Sequence, residues 1–277
     1  MENSQNGKLK SKLLEMMQWF HEFCIKNNIR YYVLGGTMLG AVRHQGFIPW
    51  DDDIDVGVVS EDYVKLDKLF ARSGQSKYVF ESPETEAADF LYSFSKLYDT
   101  TTTLIENTRY KIKRGIYIDI FPLVGTGDTE KESLQRFGMI DRKFNYLLAR
   151  STGIRKGRSF YKNLAVGLLR MIPDFISNDK AKLLEFNRMA NEKHFFGSKF
   201  GGNPFGAWRY KEIMENSIMG TPALYRFEDM EVFGAENADA YLTHLYGNWR
   251  ELPPVEKRVS HHDYIMLDLD KSYLQDK

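Results

Sequence analysis

The run Asp51-Asp52-Asp53-Ile54-Asp55 crowds carboxylates at a spacing that suits divalent-metal chemistry. On a strand, residues i and i+2 share a face, so Asp53 and Asp55 would stand side by side, Asp51 would join them if the strand began early, and Asp52 would point away. Two like charges about 4 Å apart repel by roughly 1 kcal/mol in water and by roughly 4 kcal/mol at an effective dielectric near 20. Such a face calls for a cation, and all-oxygen ligands suit Mg²⁺ or Mn²⁺. An isolated Asp-x-Asp is better explained as a solvated acidic loop, so the neighbouring sequence has to decide.

Fourteen to twenty residues earlier stands Leu34-Gly35-Gly36-Thr37-Met38-Leu39-Gly40, at a predicted strand-to-helix junction. Paired glycines let backbone approach a phosphate closely, and the first free amides of a helix favour an anion. Gly35, Gly36 and Thr37 are therefore candidates for holding phosphate, with Asp53 and Asp55 holding metal. A third carboxylate, Asp119, interrupts the apolar run Gly115-Ile116-Tyr117-Ile118-Asp119-Ile120-Phe121-Pro122. An unpaired carboxylate there is costly unless it ligates metal or takes a proton, the alternative being the exposed face of an edge strand. Arg43 is a candidate for phosphate contact, or for closing its helix at the C-terminus, where the dipole favours a cation. Lys96 in Phe94-Ser95-Lys96-Leu97-Tyr98 would add positive charge beside the phosphate, or lie on the solvent face of its strand.

The elements that must position these residues are legible in outline. Leu9, Leu13, Met16, Met17, Phe20 and Cys24 recur at helical spacing, so Leu9 to Cys24 reads as an amphipathic helix stopped near Asn27-Asn28. Tyr31 to Leu34 is a short β-prone run, Gly35-Gly36 a turn, and Thr37 to His44 a helix capped by Thr37 and ended by Gly46. Asp53 to Val59 reads as a strand and Glu61 to Ser73 as a helix. Further strands are expected at Tyr78 to Glu81, Phe94 to Tyr98, Thr102 to Ile105 and Tyr117 to Phe121. From about Lys131 the pattern turns helical, at Leu134 to Leu148, Tyr161 to Met171, Asp179 to His194 and Ala238 to Tyr246. The expected class is α+β, a mixed sheet flanked by helices with a mainly helical C-terminal half. Ser151 to Ser159 is the weakest boundary candidate.

With 277 residues, 43% of them hydrophobic, the chain can bury a sizeable core. Lys plus Arg and Asp plus Glu both number 38, so no overall field attracts nucleic acid or an anionic bilayer, and any anionic ligand must be met locally. One cysteine, Cys24, excludes an internal disulfide framework and cysteine-held zinc. The polar N-terminus and the lack of an apolar run of about 18 residues lead us to expect a cytoplasmic protein. The six histidines offer no H-x-x-x-H pair, and the adjacent His261-His262 would point in different directions, which disfavours a shared metal.

The strings Gly35-Gly36-Thr37-x-Leu39-Gly40 and Arg43-His44-x-Gly46-Phe47-Ile48-Pro49-Trp50-Asp51-Asp52-Asp53-Ile54-Asp55 resemble the LicD family of phosphocholine transferases. Ile118-Asp119-Ile120-Phe121-Pro122, Tyr241-Leu242, Tyr246-Gly247-Asn248-Trp249 and Pro253-Pro254 extend the resemblance over roughly Arg30 to His262. It implies a nucleotidyltransferase-like mixed sheet with the glycine pair and three carboxylates at one edge, on which Asp53, Asp55 and Asp119 fall as catalytic and metal-binding residues. It further implies a catalytic core over 1–130 that includes the N-terminal helix, and a mainly helical acceptor or lid region over 131–277. The implied reaction passes phosphocholine from CDP-choline to a sugar hydroxyl of a teichoic acid or lipopolysaccharide precursor, releasing CMP. More distant, fukutin-like relatives handle ribitol phosphate, so another CDP-alcohol is an alternative donor.

A quaternary ammonium is usually held by aromatic faces. Trp50, Tyr246 and Trp249 are candidate walls, although core packing explains Tyr246 and Trp249 more readily. Leu164, Val166, Leu168, Leu169, Met171, Ile172 and Phe175, set among Arg155, Lys156, Arg158, Lys162 and Arg170, make an amphipathic basic segment. It reads as a core or lid helix, or as a peripheral membrane contact. Two rival functions remain: a true nucleotidyltransferase, which would release pyrophosphate from CTP, and a non-enzymatic, degenerate metal-binding partner in a glycan-assembly complex.

Overall fold

The computed structural model describes residues 2–74, 76–85, 92–108, 110–151, 159–259 and 264–276. Helix α1 (Glu2–Lys26) runs longer than its apolar periodicity and stops where Asn28 turns to a positive φ of 53°, a conformation asparagine tolerates. Strand β1 (Tyr31–Val33) leads into α2 (Gly35–His44). Strand β2 (Asp55–Val59) is followed by α3 (Ser60–Tyr63), α4 (Leu66–Ser73) and β3 (Tyr78–Glu81), and the single helix expected over Glu61 to Ser73 is two short ones. Then come β4 (Ser95–Asp99), β5 (Thr103–Glu106), β6 (Lys113–Arg114) and the long β7 (Tyr117–Gly127).

The second half contains the four expected helices, as α5 (Glu130–Ser151), α6 (Phe160–Met171), α8 (Asp179–Asn191) and α10 (Ala238–Tyr246), together with the short α7 (Asp174–Ser177) and α9 (Asn216–Met219). It also holds strands that the helical reading did not include: β8 (Phe200–Gly202), β9 (Ile213–Glu215), β10 (Ala223–Phe227), β11 (Met230–Gly234) and β12 (Tyr264–Asp268). The boundary candidate between Ser151 and Ser159 falls largely outside the described residues.

The main sheet has the order β1-β2-β7-β4-β3, with β8 and β9 added along the far half of β7. Strands β2 and β7 are parallel and the other pairs antiparallel. β7 runs past the expected end at Phe121 because its two halves have different partners. Pairing with β4 ends at Ile120, so the N–H that Pro122 lacks falls beyond that ladder, and Val124 onward pairs with β8. Strand β12 pairs with β5, which also pairs with β6.

Burial follows the patterning. Leu13, Met16, Met17, Phe20 and Cys24 of α1 are buried, as are Val56, Val58, Ile118 and Ile120 of the central strands, and α1 packs across β7. Each such side chain contributes roughly 1.5–3 kcal/mol on leaving water. Because β1 is antiparallel to β2, its end delivers α2 to the start of β2; because β7 is parallel to β2, its start lies there too. That sheet edge is where the chemistry-bearing residues collect.

Candidate active site

Asp55 is the first residue of β2 and is tied twice to the β1–α2 junction. Its carbonyl accepts from Leu34 N at 2.9 Å, and its own amide donates to Thr37 Oγ1 at 2.9 Å. Thr37 is therefore not the helix cap. The helix begins at Gly35 with Leu34 before it and no side-chain cap, and the threonine hydroxyl instead fixes the aspartate backbone. The helix ends at Gln45, in the left-handed region, one residue before the expected Gly46.

Asp119 is the register partner of Asp55 across the parallel pair, and its amide donates to Ile54 O at 3.1 Å. Adjacent strands lie about 4.8 Å apart, so the two aspartates are immediate neighbours. Asp53 precedes the strand rather than lying in it. Its charge is nevertheless the largest of the neighbouring ones acting on Asp55. Burial first, then the charges of Asp53, Asp119, Asp51 and Glu212, push the Asp55 carboxyl well above the usual carboxylate range.

Asp51, secondary in the strand-face reasoning, comes to the start of α2. A Cβ added at Gly36 would stand 2.8 Å from Asp51 Oδ2, so the absent side chain of Gly36 is what admits this carboxylate to the helix N-terminus, where the dipole favours an anion. The amide of Gly35 donates to the buried Tyr241 hydroxyl at 2.9 Å, and Gly35 takes a positive φ of 50° that a side chain would strain. Asp52 turns into a small recess with Tyr117 and Tyr264.

The fit to a metal lies in the donor set. Mutually repelling carboxylate oxygens on a buried edge are what a hard cation relieves. Among the described residues no group of three or more His, Cys, Asp or Glu is placed so that together they could hold a metal ion. The match is to a cation taking one or two carboxylates and completing its shell with water and substrate phosphate.

Lys96 is on neither the solvent face nor an open phosphate site. It is 2% exposed, and its Nζ lies 2.8 Å from Asp119 Oδ1 and 3.6 Å from Glu106 Oε1. The rings of Tyr117 and Tyr92 stand 3.3 and 4.5 Å from the ammonium. Aromatic faces and two carboxylates thus replace the water that a buried ammonium loses.

A cleft of about 700 Å³ opens onto Asp51, Asp53 and Asp55. Trp50, Trp208, Tyr246 and Trp249 also line it, together with Arg43, Pro253 and Lys257. Trp249 is buried and Tyr246 packs against the core, as core packing requires, and both also line the cleft. Arg43 Nη1 donates to Trp249 O at 2.8 Å and to Glu251 O at 3.3 Å, which joins the end of α2 to the cleft wall. Its Nε meets His44 Nε2 at 3.0 Å.

Three participants escaped sequence reasoning. Trp208 meets Tyr246 edge to face, with centroids 5.1 Å apart. Glu212 accepts from Trp208 N at 3.2 Å, and burial raises its carboxyl to about 7. Lys10 donates to Ile48 O and Pro49 O, both at 3.1 Å, and so holds the loop that carries the acidic run. Each lies far in sequence from the motif, and none belongs to a pattern that marks it. His261 and His262 lie outside the described residues.

Residues 28–147 match the family model described as the LicD/FKTN/FKRP nucleotidyltransferase domain. The chain is 25% identical over 260 residues to the lipopolysaccharide cholinephosphotransferase LicD of Haemophilus influenzae, covering 90% of this chain and 92% of that protein. It is 45% identical over 73 residues to an uncharacterized protein of Rickettsia prowazekii, 26% of this chain and 27% of the relative. A shorter stretch of 41 residues is 46% identical to the mouse ribitol 5-phosphate transferase FKRP, 15% of this chain and 8% of that protein. The resemblance carried by Gly35 to Asp55 is thus shown, and residues 28–147 form a LicD-family domain.

Proposed function

We propose that this chain is a phosphotransferase, on a nucleotidyltransferase-like scaffold, that moves phosphocholine from CDP-choline to a sugar hydroxyl of a cell-surface glycan precursor and releases CMP. The observation that carries the reading is the cleft itself, with Asp51, Asp53 and Asp55 on one side and Trp50, Trp208, Tyr246 and Trp249 around it. Carboxylates suit a metal-bound diphosphate, and aromatic faces suit a quaternary ammonium attached to it. Similarity to the Haemophilus influenzae cholinephosphotransferase along 90% of the chain supports the same substrate class.

Of Asp53, Asp55 and Asp119, one or two at a time would hold Mg²⁺ or Mn²⁺, whose chemistry there would be to neutralise charge on the diphosphate. The aromatic walls orient the choline end and exclude water from it. The acceptor hydroxyl oxygen forms a bond to the phosphorus that carries choline, the bridging P–O bond of the diphosphate breaks, and CMP takes the electron pair. The hydroxyl proton passes to the Asp119 carboxylate, beside which the Lys96 ammonium stands at 2.8 Å.

The test is to incubate the protein with Mg²⁺, a glycan acceptor, and in turn CDP-choline, CDP-ribitol and CTP, resolving CMP from pyrophosphate. Acceptor-dependent CMP release from CDP-choline is expected. Pyrophosphate from CTP, or CMP from CDP-ribitol alone, would overturn the choline assignment.

A further inference from the structure

The loop that brings Trp50 and the acidic run to the cleft is gripped from two sides by residues of opposite charge. From α1, the Lys10 ammonium donates to Ile48 O and Pro49 O, both at 3.1 Å. From the hairpin of β10 and β11, Glu228 Oε1 accepts from Phe47 N at 2.9 Å, and the Glu228 amide donates to Gln45 O at 2.7 Å. A cation takes carbonyls of the loop and a carboxylate takes one of its amides, each a charge-assisted bond. Phe227, next to the glutamate, meets the Phe47 ring edge to face with centroids 4.9 Å apart, and both rings are buried.

Two backbone features single out the glutamate. The register Phe227↔Met230 leaves Glu228 and Asp229 as a two-residue turn, in which Glu228 takes a φ of 56° and Asp229 does not enter the left-handed region. A hairpin turn of this shape favours glycine at its first position, so glutamate there is strained. Such strain is kept where a side chain has a role that glycine cannot fill. On the facing side, a Cβ added at Gly46 would overlap the Glu228 carboxylate, standing 2.6 Å from its Cδ. Gly46 has no positive φ that would call for glycine, so what its missing side chain provides is room for that carboxylate.

The grip reaches the acidic run through one turn. Ile48 O, which Lys10 holds, also accepts from Asp51 N at 2.9 Å and so closes the turn Ile48-Pro49-Trp50-Asp51. Phe47, whose amide Glu228 holds, is the residue before that turn, and Asp51 is the residue that ends it. A displacement at Phe47 is therefore passed to Asp51 along a single hydrogen-bonded turn, and to Asp53 two residues on.

We infer that Glu228 is a positioning residue for the acidic run: its carboxylate, lodged where Gly46 leaves room, fixes Phe47 and through the following turn sets where Asp51 and Asp53 stand. Glu228 is exposed and is not part of the cleft lining, so it acts through the loop and not on the substrate. Its effect on turnover rests on the metal-assisted reaction proposed above, whereas its hold on the loop rests on the geometry alone.

The experiment compares the full chain with its Glu228→Gly, Glu228→Gln and Gly46→Ala variants. Glycine removes the carboxylate and relieves the turn, so the melting temperature should stay within a few degrees of native. Glutamine keeps an acceptor oxygen, and alanine at 46 expels the carboxylate while leaving Glu228 in the chain. Hydrogen exchange at the Asp51 amide, whose own bond is to Ile48 O, should quicken about tenfold in Glu228→Gly and Gly46→Ala and stay within about twofold of native in Glu228→Gln. In the CMP-release assay, the Mg²⁺ concentration for half-maximal rate should rise about tenfold in the same two variants. Partial unfolding would lower the rate without moving that concentration. The two changes combined should add nothing to either alone, since both remove one contact. Native exchange at Asp51 in Glu228→Gly would overturn the inference, as would a glutamine variant that behaves like the glycine one. Should Glu228→Gly melt early, exchange at Asp51 in Gly46→Ala decides in its place. A native chain that releases no CMP from any donor would sink the reading of the cleft, and the exchange comparison would still decide the role of Glu228.

Discussion

Lys96 and Asp119 face each other across the antiparallel β4–β7 pair, with Nζ 2.8 Å from Oδ1 and the lysine almost wholly out of water. The pair ties the charge state of the sheet edge to one ammonium. In the register, Asp119 has Lys96 on one side and Asp55 on the other, so a cation and a carboxylate flank it in a single row. The lysine, sheathed by Tyr117 and Tyr92, sets a positive charge at the end of the row opposite Asp55.

Removing that ammonium should be costly in two ways. Lys96→Met leaves the half-buried Asp119 and Glu106 carboxylates facing an apolar side chain, and their remaining access to water keeps the cost below the roughly 3–5 kcal/mol of breaking a fully buried pair. The expected outcome is a clear fall in melting temperature together with loss of nearly all turnover in the CMP-release assay. A Lys96→Met protein that melts with the native chain would show that the pair carries no stability.

Thr37 offers a cleaner separation, because its hydroxyl accepts from the Asp55 amide. Thr37→Val keeps the shape and leaves that amide without its partner, a loss of about 1–3 kcal/mol that falls on the backbone of Asp55. Turnover should drop by at least about tenfold, since a small misplacement of a positioning group is felt strongly in rate. Thr37→Ser restores the oxygen and should return most of both. Equal activity in the serine and valine proteins would refute the positioning role.

Two glycines of α2 should respond differently to one methyl group. At Gly36 the new Cβ would meet the end of the Asp51 side chain at 2.8 Å, and a carboxylate can swing aside. At Gly40 it would meet the carbonyl oxygen of Gly46 at 2.5 Å, and backbone cannot yield as readily. Gly40→Ala should therefore cost about 1–3 kcal/mol in stability. Gly36→Ala should leave the melting temperature close to native while weakening donor binding, read as a higher KM for the nucleotide donor. Equal destabilisation by the two would contradict the distinction between side-chain and backbone contact.

The acidic run and the glycine pair were legible because local spacing alone brings them together. β1, α2 and β2 follow one another within thirty residues, so the short connections alone gather Gly36, Asp53 and Asp55, although Asp53 precedes β2 and does not share its alternation. Asp119 could be singled out because a carboxylate in an apolar run needs a partner. That the partner is Lys96 depends on the register of β4 against β7, which alternation within one strand does not specify. The same holds for Thr37, which has the composition of a cap but bonds across to β2. Strands β8, β9, β10, β11 and β12 are three to five residues long, too short for a period of two to stand out; β8 and β12 pair with the distant β7 and β5, and the β10–β11 hairpin turns at Glu228-Asp229, with no glycine or asparagine to mark it. Trp208 reaches the cleft only because the chain returns to β7 through β8 and β9. Outward exposure on α6, where Phe160, Tyr161 and Met171 are exposed, was open as well, since an amphipathic pattern reports that one face is apolar and not what covers it.

Glu212 gives the last expectation, in pH. Its carboxyl is raised from 4.5 to about 7 by burial, with the Trp208 amide opposing the shift. Asp55, Tyr241 and Tyr246 are the titratable groups whose own shifts include its charge. A carboxyl raised in the folded state binds its proton more tightly there than in the unfolded chain, so stability is fully present below pH 4.5 and is lost as pH rises through about 7. A shift of about 2.5 units corresponds to about 3 kcal/mol between those limits. Glu212→Gln removes the titration but keeps an oxygen for the Trp208 amide. In EDTA, the melting temperature of the variant relative to the native protein should therefore climb between about pH 4.5 and pH 7 and level off above about pH 7.5. A difference that stays flat across that window would mean that Glu212 is ionised in the folded protein throughout, and that the carboxyl is better hydrated than its burial beneath Trp208 indicates.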